Sequence, residues 1–158
     1  MKDLSFIVDE NVKLNVRTTG VFVHNGKVLV HKSDEVEHYA LPGGRVQAAE
    51  DSISALKREI QEELNLQTEN TSFIGVIENF FKAPECNFHE YMWLIKADFK
   101  DKSIYEQEKI IGKEKDSDLV FEWLDVNELE KVDFRPVAAI PYIKNLDGQI
   151  HHKIYKEF

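Results

Sequence analysis

The period of hydrophobic and polar positions changes several times along the chain, and each change predicts an element. Over residues 12–32 the β-branched residues Val21, Val23, Val28 and Val30 flank Asn25-Gly26, the dipeptide favoured by a type I′ turn, so two strands joined as a hairpin are expected. A polar loop over 33–38 and a short extended stretch, Tyr39-Ala40-Leu41, lead to Pro42-Gly43-Gly44, where two glycines let backbone approach a metal or phosphate closely. Between 44 and 66 the period becomes helical. Ile53, Leu56, Ile60 and Leu64 fall on one face at about 100° per residue, and Asp51 is placed to cap the helix ahead of Ser52 and Ser54. Residues 72–81 and 88–99 return to a β pattern. The KAPECN segment between them carries Pro84 and Asn87 as turn residues, which predicts adjacent antiparallel strands.

The last third is less regular. Residues 100–118 are too charged for a core and exceed the roughly 12–15 residues of an ordinary connection, which points to a functional lid or a solvated segment. A strand over 119–124, a short helix over 126–131 begun by Asp125, and a longer helix over 136–146 ending near Gly148 follow. The tail HHKIYKEF reads as an added edge strand. His151 and His152 are adjacent and face opposite ways on a strand, so they suggest no metal site.

This order of strands and helices argues for an α/β fold with a mixed sheet. With 158 residues and 42% hydrophobic content, one domain over 1–158 is expected. No apolar run approaches the roughly 18–20 residues that span a bilayer, and the first ten residues carry acids where a signal peptide would be basic, so a cytoplasmic location is expected. Cys86 has no partner for an internal disulfide and reads as a free thiol. The net charge of −9 disfavours non-specific contact with a nucleic-acid polymer or an anionic membrane. A small anionic substrate stays compatible where metal and a few local cations neutralise it.

The candidate chemistry lies on the helix of residues 44–66. Glu59, Glu62 and Glu63 share the face next to the apolar stripe and are expected on its exposed side. Like charges at this spacing oppose the helix by about 0.2–0.5 kcal/mol per pair, and no Lys or Arg lies four residues after Glu59 or Glu62. A hard divalent cation suits them, since Mg²⁺ takes oxygen ligands and accepts carboxylates together with water and phosphate. A merely solvated acidic face is the plainer reading.

The spacing decides between the two. Gly44, five residues, Glu50, seven residues, Arg58-Glu59-Ile60, one residue, Glu62-Glu63, one residue and Asn65-Leu66 resembles the Nudix box of the Nudix hydrolase superfamily. Asn65 stands where that family usually has Gly, and both residues tolerate the left-handed conformation that ends many helices. The resemblance implies a Nudix-like α/β/α sandwich with a mixed β-sheet and the box helix packed against it. It implies Mg²⁺, with Mn²⁺ as the alternative, held by Glu59, Glu62 and Glu63 with help from the Gly44 carbonyl. It gives Glu50 a supporting part and has Arg58 steady the carboxylates.

The reaction implied is hydrolysis of a phosphoanhydride in a nucleoside diphosphate linked to another group. The general base is assigned first to Glu59 and next to Glu114, which looks like the acid some relatives supply from a corresponding connection; Glu106 and Glu108 are rivals. The implied partner is a small nucleoside-diphosphate substrate, and a homodimer is left open. Arg17 faces either a ligand or solvent. Phe80, Phe81, Phe88, Tyr91 and Trp93 favour core over base stacking, Glu78 and Glu90 are acids unusual enough inside strands to be site candidates, and His89 reads as structural. Two alternatives differ in class. A nucleotide sensor would have lost box acids, and none is lost. An isomerase of the isopentenyl diphosphate type would need a catalytic cysteine and a histidine set that Cys86 does not bring.

Overall fold

The computed structural model describes all 158 residues. Ten strands form two sheets. Strands β1 (Ser5–Asp9), β2 (Val12–Val21), β5 (Gly43–Arg45), β6 (Thr68–Lys82), β7 (Asn87–Phe99) and β10 (His151–Lys156) make the larger, in the order β1-β2-β7-β6-β10, with β5 pairing onto β2. It is mixed: β2–β7 and β10–β6 are parallel, and the remaining pairs are antiparallel. The smaller sheet runs β3 (Val23–His24), β4 (Lys27–Lys32), β9 (Val120–Asp125) and β8 (Lys109–Ile111) in the order β3-β4-β9-β8, all antiparallel.

Helix α1 (Ser52–Leu64) lies against one side of the strands and the short α2 (Ile140–Lys144) against the other. Leu56, Ile60 and Leu64 pack with Phe22, Leu29, Ile95 and Phe121. On the opposite side Ile140 and Ile143 pack with Val21, Val28, Ile77, Met92 and Leu94. Full burial of an aliphatic side chain such as Leu56 or Ile60 stabilises by roughly 1.5–3 kcal/mol, which fixes which face of α1 points inward. The expected α/β/α sandwich with a mixed sheet is the architecture found. No helix is long and apolar enough to cross a membrane.

Several elements differ from the pattern reading. The Asn25-Gly26 turn forms with both residues at positive φ, as type I′ requires, but it joins β3 to β4. The first long strand, β2, ends at Val21 and belongs to the other sheet, because Phe22 is pulled wholly into the core beside Phe99 at 4.2 Å. Residues 100–118 are not a structureless connection. Lys102–Glu106 form a 3-10 turn capped by Asp101, and β8 pairs with β9 because Ile104 and Ile110 are buried anchors that the surrounding charges obscure. The helix expected over 126–131 shrinks to a 3-10 turn at Leu129–Lys131, although Asp125 accepts from the Asn127 amide as a cap would. The helix over 136–146 reduces to a 3-10 turn at Val137–Ala139 followed by α2. Strand β1 escaped the pattern reading because Phe6, Ile7 and Val8 are exposed on an edge and show no alternation of burial.

The end of α1 matches expectation. Asn65 is left-handed, with φ 55° and ψ 38°; its amide donates to the Gln61 carbonyl, and its side-chain oxygen accepts from Gln61 Nε2 at 2.6 Å. Asn65→Gly should therefore be tolerated, trading that side-chain bond for an easier positive φ. Asn65→Val should cost about 1–2 kcal/mol more, since a β-branched residue fits this region poorly. Thermal unfolding of both variants measures it, and a Val midpoint roughly 2–8 °C below that of Gly is expected.

Candidate active site

The site is built where the chain from β5 turns into α1. Asp51 Oδ1 accepts from the amides of Ile53 and Ser54 at 3.0 and 2.9 Å, and its Oδ2 accepts from Ser54 Oγ, so the helix starts where the sequence places its cap. Ahead of it, β5 pairs with β2 so closely that Gly43, at φ 135°, would drive any side chain into the Thr18 carbonyl. At Gly44 a side chain would collide with the Glu59 carboxylate. The two glycines thus bring bare backbone against the acids, as the sequence suggests.

Arg58 organises those acids. Its Nε and Nη2 each donate to one oxygen of Glu50 at 2.9 Å, Nη1 donates to Glu59 at 2.7 Å and to Glu62 at 3.1 Å, and Nη2 also reaches the Arg45 carbonyl at 2.9 Å. The bidentate pair, helped by the Gln47 amide, holds the Glu50 carboxyl below the usual range, and Arg58 itself is pushed above its ordinary value chiefly by Glu50.

Glu63 behaves differently. The acidic face was expected to be exposed, yet Glu63 is only 5% exposed because α1 turns it toward β5, where its oxygen accepts from the Gly43 amide at 3.3 Å. Burial raises its pKa to about 8, Arg17 works against that rise, and the neighbouring Glu59 and Glu114 add to it. Glu59 is also raised, first by desolvation and against the pull of Arg58. Arg17 donates to the Gly43 carbonyl at 3.0 Å, so it faces this site and not open solvent. His31 was not singled out in the sequence. Half-buried and beside Arg17, it is held neutral by desolvation with a pKa of about 4, contacts the Leu41 carbonyl through Nε2 at 3.1 Å, and leaves Nδ1 without a partner.

The other candidates divide. Glu114 sits in an exposed turn whose Lys113 amide donates to the Glu63 carbonyl at 2.6 Å, which brings it to the C-terminal end of the acidic face. Glu106 and Glu108 line a separate hollow with His24, Tyr105 and Trp123. Glu78 pairs with His152 at 2.7 Å. The strand aromatics are half-buried and belong to neither main cluster, so the expectation of core is not met.

Glu59, Glu62 and Glu63 do not converge: no three acids, histidines or cysteines reach metal-ligand spacing in this arrangement, since Arg58 draws Glu59 and Glu62 to itself while Glu63 turns inward. The donor set nonetheless fits a hard cation. It offers only oxygen, and one of its carboxylates, Glu63, is buried without a full ion pair to match it.

Comparison with known proteins agrees with this geometry. A family model described as the NUDIX domain matches residues 14–145. The fold resembles a mutator MutT protein from Bacillus halodurans at a TM-score of 0.65 and 15% identity, covering 90% of this chain and 91% of that one. It also resembles a NUDIX hydrolase from Nitrosomonas europaea, at 0.63 and 19% identity over 90% and 79% of the two chains. An ADP-ribose pyrophosphatase from Streptococcus suis gives 0.60 and 14% over 89% and 98%. At such identities the likeness is one of fold. No curated protein matches the chain in sequence.

The buried carboxyl makes a test of the metal-free protein. A folded pKa raised from 4.5 to about 8 means that Glu63 stabilises the fold, relative to its charged form, below pH 4.5 and loses this as pH rises through 8. Glu63→Gln should therefore unfold at a higher temperature than wild type at pH 8.5 in chelator. The difference should close by pH 5, and scans at the two pH values check it.

Proposed function

The chain belongs to the NUDIX domain family, and from that premise we propose that it is a divalent-metal-dependent hydrolase that cleaves the phosphoanhydride of a nucleoside diphosphate linked to another group. The observation carrying this reading is the buried carboxyl of Glu63, which has no full ion pair and lies against the Gly43 backbone beside the half-buried Glu59. A solvated helix face would not bury Glu63, and a purely structural acid would sit in a full ion pair.

Glu59, Glu62 and Glu63, with the Gly44 carbonyl, would hold Mg²⁺ or Mn²⁺. When bound, the cation neutralises charge on the phosphates and lowers the pKa of water. Arg58 keeps Glu50, Glu59 and Glu62 at one end of α1 and so limits the rearrangement that loading requires. Arg17, tied to the Gly43 carbonyl, offers a fixed guanidinium to substrate phosphate beside the acids. Glu59 is the first candidate to accept the proton of the attacking water, because burial has already raised its basicity; Glu114, on an exposed turn next to Glu63, is the second.

The proposal is tested by turnover of a nucleoside-diphosphate panel in ¹⁸O-labelled water. Hydrolysis that needs Mg²⁺ or Mn²⁺ and stops in chelator, with label on one phosphate product, is expected. Binding without cleavage would make the chain a nucleotide sensor. Within the same assay Glu59→Gln should lower kcat by at least about a hundredfold if it is the base. A loss of that size in Glu114→Gln with Glu59→Gln near wild type would move the base to the turn.

A further inference from the structure

A row of polar side chains crosses the whole of the larger sheet. Ser5 of β1 pairs with Asn15 of β2, Asn15 with Glu90 of β7, Glu90 with Asn79 of β6, and Asn79 with Tyr155 of β10. Directly paired residues share a face, so the five side chains stand on the same side of the sheet. Asn15, Glu90 and Asn79 are 4%, 4% and 5% exposed, which is rare for an acid without a cation and rare for two amides together.

Their hydrogen bonds leave a specific deficit. Asn15 Nδ2 donates to Glu90 Oε2 at 2.5 Å and Asn79 Nδ2 donates to Oε1 at 3.2 Å. The carboxylate only accepts, so it dictates that both amides turn their NH₂ groups inward and their carbonyls away. The Oδ1 atoms of Asn15 and Asn79 and the Ser5 hydroxyl are then buried without a partner. Each unmet buried group costs about 1–3 kcal/mol. At the two amide oxygens, which only accept, the row lacks N–H or O–H donors, while the Ser5 hydroxyl can donate or accept.

Its neighbours on that face link it to the site. Two residues along β2 from Asn15, about 7 Å on, stands Arg17, which holds the Gly43 carbonyl and acts on Glu63. Two residues the other way stand Lys13, Phe88 and Phe81. The two Phe rings are half-buried and parallel within 2°, with centroids 4.8 Å apart.

On the reading that the substrate is a nucleoside-diphosphate derivative, we infer that the Ser5–Asn15–Glu90–Asn79–Tyr155 row is the base-reading floor of the site and selects a guanine-type base. Guanine places an N–H and an adjacent NH₂ on one edge, two donors side by side for the Glu90 carboxylate and the amide oxygens beside it, all of which only accept. Adenine places its single NH₂ beside ring acceptors, and uracil flanks one N–H with two carbonyls. The acidic floor repels both arrangements. The diphosphate then extends past Arg17 to the acids of α1, and the Phe81–Phe88 pair borders the base.

Equilibrium titration of the full chain with GMP, AMP and UMP tests this apart from hydrolysis, since none of the three holds a phosphoanhydride. GMP should bind at least about tenfold more tightly than the others, as loss of one charge-assisted pair would imply. Glu90→Gln should erase most of that preference while changing AMP affinity little, and Asn15→Ser should weaken it in the same sense, each checked for folding by thermal unfolding. Equal affinity of wild type for the three nucleotides overturns the inference. So does a variant of altered stability with the preference intact, which would make the row a structural network completed by internal water. A GMP preference without turnover on any substrate would instead remove the hydrolase reading and keep this one, whereas metal-dependent turnover without any guanine preference would do the reverse.

Discussion

A single guanidinium sets the arrangement on which the candidate chemistry depends. Arg58 joins four groups that would otherwise repel or lie unpaired: Glu50 before the helix, Glu59 and Glu62 on it, and the Arg45 carbonyl at the end of β5. A planar fork of five donors does this from one position; an ammonium could not satisfy both oxygens of Glu50 and still reach Glu59. The Arg58–Glu62 bond runs in the weaker direction for a helical pair, and Glu62 is 46% exposed, so that contact contributes little stability by itself. Its value lies in position. Glu62 is half exposed and shares Arg58 Nη1 with Glu59, so neither carboxylate has the guanidinium to itself.

Glu63 and Arg17 supply the complementary tension. Arg17 opposes the desolvation of Glu63 without forming a full ion pair with it, and the guanidinium is instead anchored to the backbone that the glycines expose. A complete pair would quench both groups; the distance between them leaves the acid under-neutralised and the guanidinium bonded to backbone. His31, neutral and half-buried beside them, adds no charge that would upset this balance.

Sequence alone made the box helix legible because a one-dimensional spacing carries a helical face: the Asp51 cap, the Leu56–Ile60–Leu64 stripe and the left-handed Asn65 all stand where the period put them. Strand pairing is not written in spacing. Nothing local to Asn15, Asn79 or Glu90 says that they meet, since their contact arises from three different strands and a parallel β2–β7 pairing 75 residues apart. Glu90 was recognisable only as an acid in an apolar run. His31 gave no signal because its role comes from burial, and the buried Ile104 and Ile110 were hidden in a charged stretch that composition reads as solvated. Burial of Glu63 escaped for a related reason. A helical wheel separates apolar from acidic faces but cannot tell which side the returning β5 will cover.

Strand β2 is where these separate features become one device. Along it, Asn15, Arg17 and Thr19 point to one side, while Thr18 points to the other and donates its hydroxyl to the Ser52 carbonyl in the first turn of α1 at 2.9 Å. The same residues pair with β5, Arg17 against Arg45, Thr18 against Gly44 and Thr19 against Gly43. The strand therefore fixes the glycine turn, the start of the acidic helix, the Arg17 guanidinium and the polar row in a single register. A slip of one residue would exchange the two faces, putting Thr18 among the acids and Arg17 under the helix. Such a slip is opposed by Phe22, which is locked in the core at the strand's end. That one register is what sets the Gly43 amide against Glu63 and the Gly43 carbonyl against Arg17.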